Sequence, residues 1–214
     1  MARIGLLGGT FDPIHFGHLG MAQELAQALA LDTVKLIPAA VPPLKSQPSA
    51  SAIDRCAMVK LAIANNPDFQ LDDRELKRTG PSYTLDTLRS LRSELGEQDS
   101  LVLFIGSDAF KQFNRWHQWQ EIIRLCHIAL VARPDSELST GLNPELVTFL
   151  QDHYTENAMD LQSATAGLIT MQAITPLTIS SSAIREQLKT RQSARYLTPD
   201  CVLDYIAQHG LYQA

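Results

Sequence analysis

The sequence predicts a doubly wound α/β fold: a parallel sheet with helices on both faces, ending in a small helical part from about residue 180. Short apolar runs alternate along the chain with longer stretches of helical periodicity. The short runs are continuously apolar instead of alternating, as in strands covered on both sides. A chain of 214 residues, 45% of them hydrophobic, can fill a sizeable core, and no composition shift divides it, so residues 1–214 read as one domain.

Strands are expected over residues 3–7, 33–38, 69–71, 101–105, 128–132 and 168–173. Helices are expected over 18–30, 51–65, 83–95, 118–124, 144–153, 182–189 and 199–209. The last is the best delimited: Thr198 is placed to cap it, Pro199 suits its first turn and Gly210 its end. Parallel strands need right-handed crossovers. The loops after Leu7, Pro38 and Ile105 then share one rim, beyond the carboxyl ends of the strands, where such sheets bind ligands. Residues 39–50, rich in Pro, Ser and Ala, and residues 135–141 read as surface loops.

Composition narrows the partners. Net charge is −5, from 23 acidic and 18 basic residues, which argues against a generally basic nucleic-acid surface. An anionic ligand must be met by local groups, not by the overall field. Cys56, Cys126 and Cys201 form no C-x-x-C pair and read as buried thiols of a reducing compartment. No apolar run reaches the length of a membrane span, and the first residues read as a strand, not a secretory signal, so a cytoplasmic protein is expected.

The chemistry concentrates in Gly8-Gly9-Thr10-Phe11-Asp12-Pro13-Ile14-His15-Phe16-Gly17-His18, between the first strand and the first helix. Glycines let a backbone approach an anion, and a helix amino end aims N–H groups at it. The two histidines add side-chain donors. No G-x-G-x-x-G is present, so this is not the dinucleotide fingerprint. His15 and His18, three apart, would also share a face on a helix and suit a metal pair, but no obvious set of further Cys, His or carboxylate ligands stands nearby in sequence. A late segment, Ile179-Ser180-Ser181-Ser182-Ala183-Ile184-Arg185, offers hydroxyls, exposed N–H groups and a guanidinium at another helix start.

The H-x-G-H of His15, Gly17 and His18 resembles the signature of the nucleotidyltransferase superfamily, and residues 179–185 resemble its I-S-S-T-x-I-R element, with Ser182 in place of Thr. Further elements are Pro42-Pro43-Leu44-Lys45, Asp73-Arg74-Glu75-Leu76, Pro81-Ser82-Tyr83-Thr84, Ile105-Gly106-Ser107-Asp108, Trp116-His117-Gln118-Trp119 and the closing Gly210-Leu211-Tyr212. Together they resemble the bacterial nicotinate-nucleotide adenylyltransferase family over essentially the whole chain. The resemblance implies a Rossmann-like fold and transfer of AMP from ATP to nicotinate mononucleotide, giving deamido-NAD and pyrophosphate, with Mg²⁺ carried on the ATP phosphates and not in a protein cage. One departure is Leu44, where the family commonly has His; Ala39 and Ala40 before it also lack polar side chains, so a phosphate or ribose contact of this loop is missing or moved.

The resemblance assigns roles residue by residue. His15, His18 and Arg185 act at the reacting and leaving phosphates. Gly8, Gly9, Thr10, Phe11, Gly106, Asp108, Arg133, Ile179, Ser181 and Ser182 hold ATP, with Asp108 reaching ribose hydroxyls or a metal-bound water. Lys45, Ser82, Tyr83, Thr84, Trp116 and His117 hold the mononucleotide, with Trp116 stacking on the pyridine. Trp116 and Trp119 are equally spaced for core packing, and His127, His153 and His209 read as capping or surface residues. Two alternatives remain: another acceptor, such as nicotinamide mononucleotide or phosphopantetheine, and a non-enzymatic nucleotide sensor. A sensor is expected to have lost phosphate donors, whereas His15, His18 and Arg185 are all present.

Overall fold

The computed structural model describes residues 1–44, 47–132 and 141–213. Its sheet joins six strands: β1 (Arg3–Gly9), β2 (Thr33–Pro38), β3 (Phe69–Leu71), β4 (Ser100–Gly106), β5 (His127–Ala132) and β6 (Ile169–Ala173). The order is β3-β2-β1-β4-β5-β6 and every pairing is parallel. The chain therefore winds outward in both directions from β1 and β4, and the crevice beyond their carboxyl ends is the switch point where such sheets take ligands.

The helices are α1 (Phe16–Ala28), α2 (Ala52–Ala62), α3 (Thr84–Leu95), α4 (Ser107–Phe110), α5 (Trp119–Ile122), α6 (Pro144–His153), α7 (Ser181–Lys189) and α8 (Asp200–Gln208). Short 3-10 turns cover Arg74–Lys77, Phe113–Arg115 and Ala158–Gln162. The continuously apolar strands feed two cores at once. Leu101, Leu103 and Ile105 of β4 point to one cluster with Leu88, Phe113 and Ile122; Val102 and Phe104 point to the other with Leu25, Met58 and Val202. Burial on both faces is why these strands lack a polar side.

Some expectations are corrected. Thr198 does not cap α8: its hydroxyl donates instead to Ile14 O at 2.7 Å, and Pro199 is the residue that precedes the helix. Of the three cysteines only Cys126 is buried; Cys56 is half-buried and Cys201 exposed, all as free thiols. His127 is neither cap nor surface residue. It is fully buried, with Nε2 against Ala164 O at 3.0 Å and Nδ1 accepting from Leu168 N at 3.1 Å. Trp119 packs in the core, whereas Trp116 is only partly buried at its edge. Residues 135–140 of the second expected loop lie outside the described residues.

Candidate active site

The turn between β1 and α1 is held by side chains from distant parts of the chain. Thr10 O accepts from Arg55 Nη1 at 2.6 Å, Asp12 O from Arg185 Nη1 at 2.7 Å, Pro13 O from Ser181 Oγ at 2.9 Å, and Ile14 O from Thr198 Oγ1 at 2.7 Å. A carbonyl occupied by such a donor is shielded from an incoming anion, and the turn cannot relax without breaking a hydrogen bond. Arg55 is fully buried and also reaches Ala50 O and Ala40 O, so one guanidinium joins the loops after β1 and β2. Asp12, 5% exposed, accepts from Ser49 N, Ala50 N and the Tyr212 hydroxyl. The far end of the 39–50 loop is thereby pinned, while Lys45 within it lies outside the described residues.

His15 precedes α1 in extended conformation and makes no side-chain cap. Its ring is 5% exposed and its Nδ1 has no hydrogen-bond partner. Burial pushes its imidazole down to about 4, so at neutral pH it is an uncharged hydrogen-bonding group. His18 stacks on it, with centroids 3.7 Å apart, and meets the edge of Phe11 at 5.0 Å. Phe11 is itself buried, with a left-handed backbone (φ 50°), so it places His18 from below instead of lining the cleft. Gly17 explains itself: a Cβ there would stand 3.0 Å from His15 Nδ1 and 3.7 Å from Ile179 Cβ. The two sequence motifs thus meet across this glycine.

Two clefts flank the turn. One, of about 230 Å³, is lined by His15, Gly17, His18, Gly106, Asp108, Val131 and residues 174–179. The other, of about 540 Å³, is lined by Gly9, Thr10, Pro42, Pro43, Leu44, Tyr83, Thr84, Gln112, Arg115, Trp116 and His117 among others. A smaller recess of about 110 Å³, lined by Gly8, Gly9, Glu75, Ser82 and Trp116 among others, shares several of these walls. A Cβ at Gly8 or Gly106 would meet nothing within 4 Å, so both glycines leave backbone open for a ligand's approach.

At the larger cleft the rings of Tyr83 and His117 stack at 4.4 Å, and Thr84 opens α3, whose first N–H groups lack intrahelical partners. Ser82 is engaged in framework bonds: its Oγ accepts from Ala40 N at 2.9 Å and Val41 N at 3.2 Å, close to the buried Glu75 carboxyl. Burial pushes Glu75 up from its ordinary value, against the Thr87 and Ser82 hydroxyls that favour its ionised form. At the start of α7, Ser180 caps Ala183 N at 3.2 Å, and Arg185 Nη2 lies 3.4 Å from Ser182 Oγ with the side chain 30% exposed.

Most of the residues expected at the site meet on one rim. Arg133 joins Lys45 outside the described residues. Arg55, Thr198, Tyr212, Gln112, Arg115 and the 174–178 wall also build the site and are not among the residues given roles there by the sequence motifs. A signal existed for Arg55, since it falls on the buried stripe of α2 with Met58 and Val59, where a cation needs partners.

The cytidylyltransferase-like family model matches residues 6–187. A protein of Pseudomonas syringae pv. tomato named "Probable nicotinate-nucleotide adenylyltransferase" is 46% identical over 212 residues, covering 99% of this chain and 94% of its own. One of the same name from Dechloromonas aromatica is 46% identical over 211 residues, covering 98% and 97%. The chain belongs to the nicotinate-nucleotide adenylyltransferase family. In this family member the motif residues 8–18 and 179–185 form one cradle between two clefts. The solved Plasmodium falciparum nicotinic acid mononucleotide adenylyltransferase complexed with NaAD superposes with a TM-score of 0.74 at 18% identity, covering 99% of this chain and 98% of that one, which establishes the shared fold.

Proposed function

We propose that the chain transfers AMP from ATP to nicotinate mononucleotide, forming deamido-NAD and releasing pyrophosphate. The observation that carries this reading is the pair of clefts on either side of one anion cradle, at the switch point between β1 and β4. Two nucleotides entering from opposite sides meet at the Gly8–His18 turn.

The attacking 5′-phosphate is already anionic, so no general base is needed. Its oxygen bonds to the α-phosphorus of ATP as the bond to the β-phosphate oxygen breaks, and the electron pair leaves with pyrophosphate. The protein has to align two polyanions and stabilise the charge that moves. In this reading His18 and the α1 amino end meet the phosphates, neutral His15 donates a hydrogen bond without adding charge, and Arg185 with the α7 amino end holds the leaving group. The 230 Å³ cleft takes adenosine, with Asp108 toward the ribose. The 540 Å³ cleft takes the mononucleotide, with Trp116 against the pyridine and the amino end of α3 toward its carboxylate.

Mg²⁺ would ride on the triphosphate. Mg²⁺ keeps several of its waters and binds mainly through substrate phosphates; among the described residues no three His, Cys, Asp or Glu side chains converge. The reaction belongs in the cytoplasm in this reading; the free thiols support a reducing compartment, and no described helix is long and apolar enough to cross a membrane. The deciding experiment follows pyrophosphate release from ATP and Mg²⁺ with a panel of acceptors. Release with nicotinate mononucleotide above all others is expected. A preference for nicotinamide mononucleotide or phosphopantetheine would reassign the acceptor, and no release with any of them would make the chain a nucleotide sensor.

A further inference from the structure

Asp12 is a buried carboxylate placed beside a site for polyanions. Its Oδ2 accepts from Ser49 N at 2.8 Å; its Oδ1 accepts from Ala50 N at 3.1 Å and from the Tyr212 hydroxyl at 2.7 Å. Arg185 stands next to it: Nη1 donates to Asp12 O at 2.7 Å and lies 3.7 Å from Oδ2. Arg185 therefore has two claimants, the Asp12 carboxylate and any phosphate bound in the cradle. A carboxylate short of donors turns toward the nearest guanidinium, because a bidentate charged pair is the strongest bond open to it.

Tyr212 reaches the same carboxylate from 200 positions away in sequence. After α8 the chain folds back, with Leu211 N on Ile206 O at 3.0 Å. Tyr212 takes a left-handed backbone (φ 60°), rare for a non-glycine residue. Burial and the neighbouring carboxylate push its phenol well above the ordinary range, so it is a donor at every working pH. Tyr212 lines neither cleft. We infer that Tyr212 is a positioning residue for the triphosphate: by filling Asp12 Oδ1 it confines the Asp12–Arg185 pair to one long contact through Oδ2 at 3.7 Å, short of a bidentate pair, and leaves the rest of the fork to the ligand. This rests on the adenylyl-transfer reading for the identity of the ligand.

The test compares wild type, Tyr212→Phe, Arg185→Lys and the double variant. Each is titrated calorimetrically with a non-hydrolysable ATP analogue and Mg²⁺, and assayed for KM of both substrates. Phenylalanine keeps the ring and its packing and removes only the donor. Analogue affinity and KM for ATP should worsen about 5- to 10-fold in Tyr212→Phe, the scale of one lost hydrogen bond. The acceptor KM should stay within about twofold. In the Arg185→Lys background, where the fork is already gone, Tyr212→Phe should cost nothing more. Unchanged analogue affinity, an equal loss in both backgrounds, or equal weakening of ATP and acceptor would overturn the inference. If wild type binds the analogue but releases no pyrophosphate with any acceptor, the reading of function fails, and the calorimetric comparison still decides the role of Tyr212.

Discussion

The rings of His15 and His18 stack with centroids 3.7 Å apart and 25° between their planes. Two imidazoles in such contact cannot both carry charge without repulsion. Burial keeps His15 out of that conflict, pushing it down to about 4. A neutral His15 can donate to a phosphate oxygen while leaving the cationic role to Arg185 and the helix amino end.

This assignment has a pH signature. His15 binds its proton near 6.5 when unfolded and only near 4 when folded. Between those values the unfolded chain holds the extra proton, so stability is lost as pH falls from 6.5 toward 4. The contribution is about 3 kcal/mol at most. His127 is lowered by burial in the same direction, so the comparison must isolate His15. In denaturant melts across this range, His15→Gln should lose less stability on acidification than wild type. Parallel pH profiles for the two proteins would contradict a buried, neutral His15.

His18 is held by His15 on one side and Phe11 on the other, at the mouth of the smaller cleft. A donor fixed in this way stabilises developing charge with no reorganisation. His18→Ala should lower kcat by roughly 10²–10³-fold while the melting temperature stays near that of wild type. A folded variant with near-normal kcat would remove His18 from the reacting phosphates.

Gly17→Ala separates folding from chemistry. Alanine favours a helix over glycine by about 1 kcal/mol. Its Cβ would stand 3.0 Å from His15 Nδ1 and 3.1 Å from Cε1, tighter than ordinary contact. The nearer neighbour is a ring that can swing, so the fold should survive with His15 displaced. A kcat loss of about 10-fold or more with little change in melting temperature is expected, since small misplacements at a reacting centre are costly. Full activity would mean that the position of His15 is unimportant.

The sequence reveals most where local rules decide. The limits of β2, β3 and α6 agree with the expected 33–38, 69–71 and 144–153, because each apolar run is bounded by turn-forming residues, and Asn143 with Pro144 marks the start of α6. Continuous apolar runs implied the parallel sheet, which put the motif loops on one rim. The four-residue α4 and the 3-10 turns carry too short a pattern for periodicity. Thr198 shows the ambiguity of a local signal, since a hydroxyl before a helix serves equally as a cap or as a donor to a distant carbonyl. The Arg55–Thr10 and Tyr212–Asp12 bonds span 45 and 200 positions, and nothing in either neighbourhood names the partner.

The proposed function, with the mononucleotide in the 540 Å³ cleft, predicts selectivity for an acid. Thr84 starts a 12-residue helix at its wall, and a helix amino end favours an anion over a neutral amide. N–H donors suit a carboxylate, which only accepts; a carboxamide would turn its own NH₂ toward one of them. A buried mismatch of this kind costs about 1–3 kcal/mol, and two give on the order of 10²-fold or more in kcat/KM. Trp116, partly buried, in tilted contact with Phe113 at 5.2 Å and lining this cleft, would in that reading serve acid and amide alike. Trp116→Ala should therefore weaken both acceptors and leave the ratio between them intact. Replacing Thr84 by proline removes one N–H while proline remains acceptable in a helix's first turn, so Thr84→Pro should reduce the acid preference selectively. The measurement is kcat/KM for nicotinate and nicotinamide mononucleotides in the three proteins. Equal values in wild type, or a ratio that collapses with Trp116→Ala and not with Thr84→Pro, would place the discrimination elsewhere than at the amino end of α3.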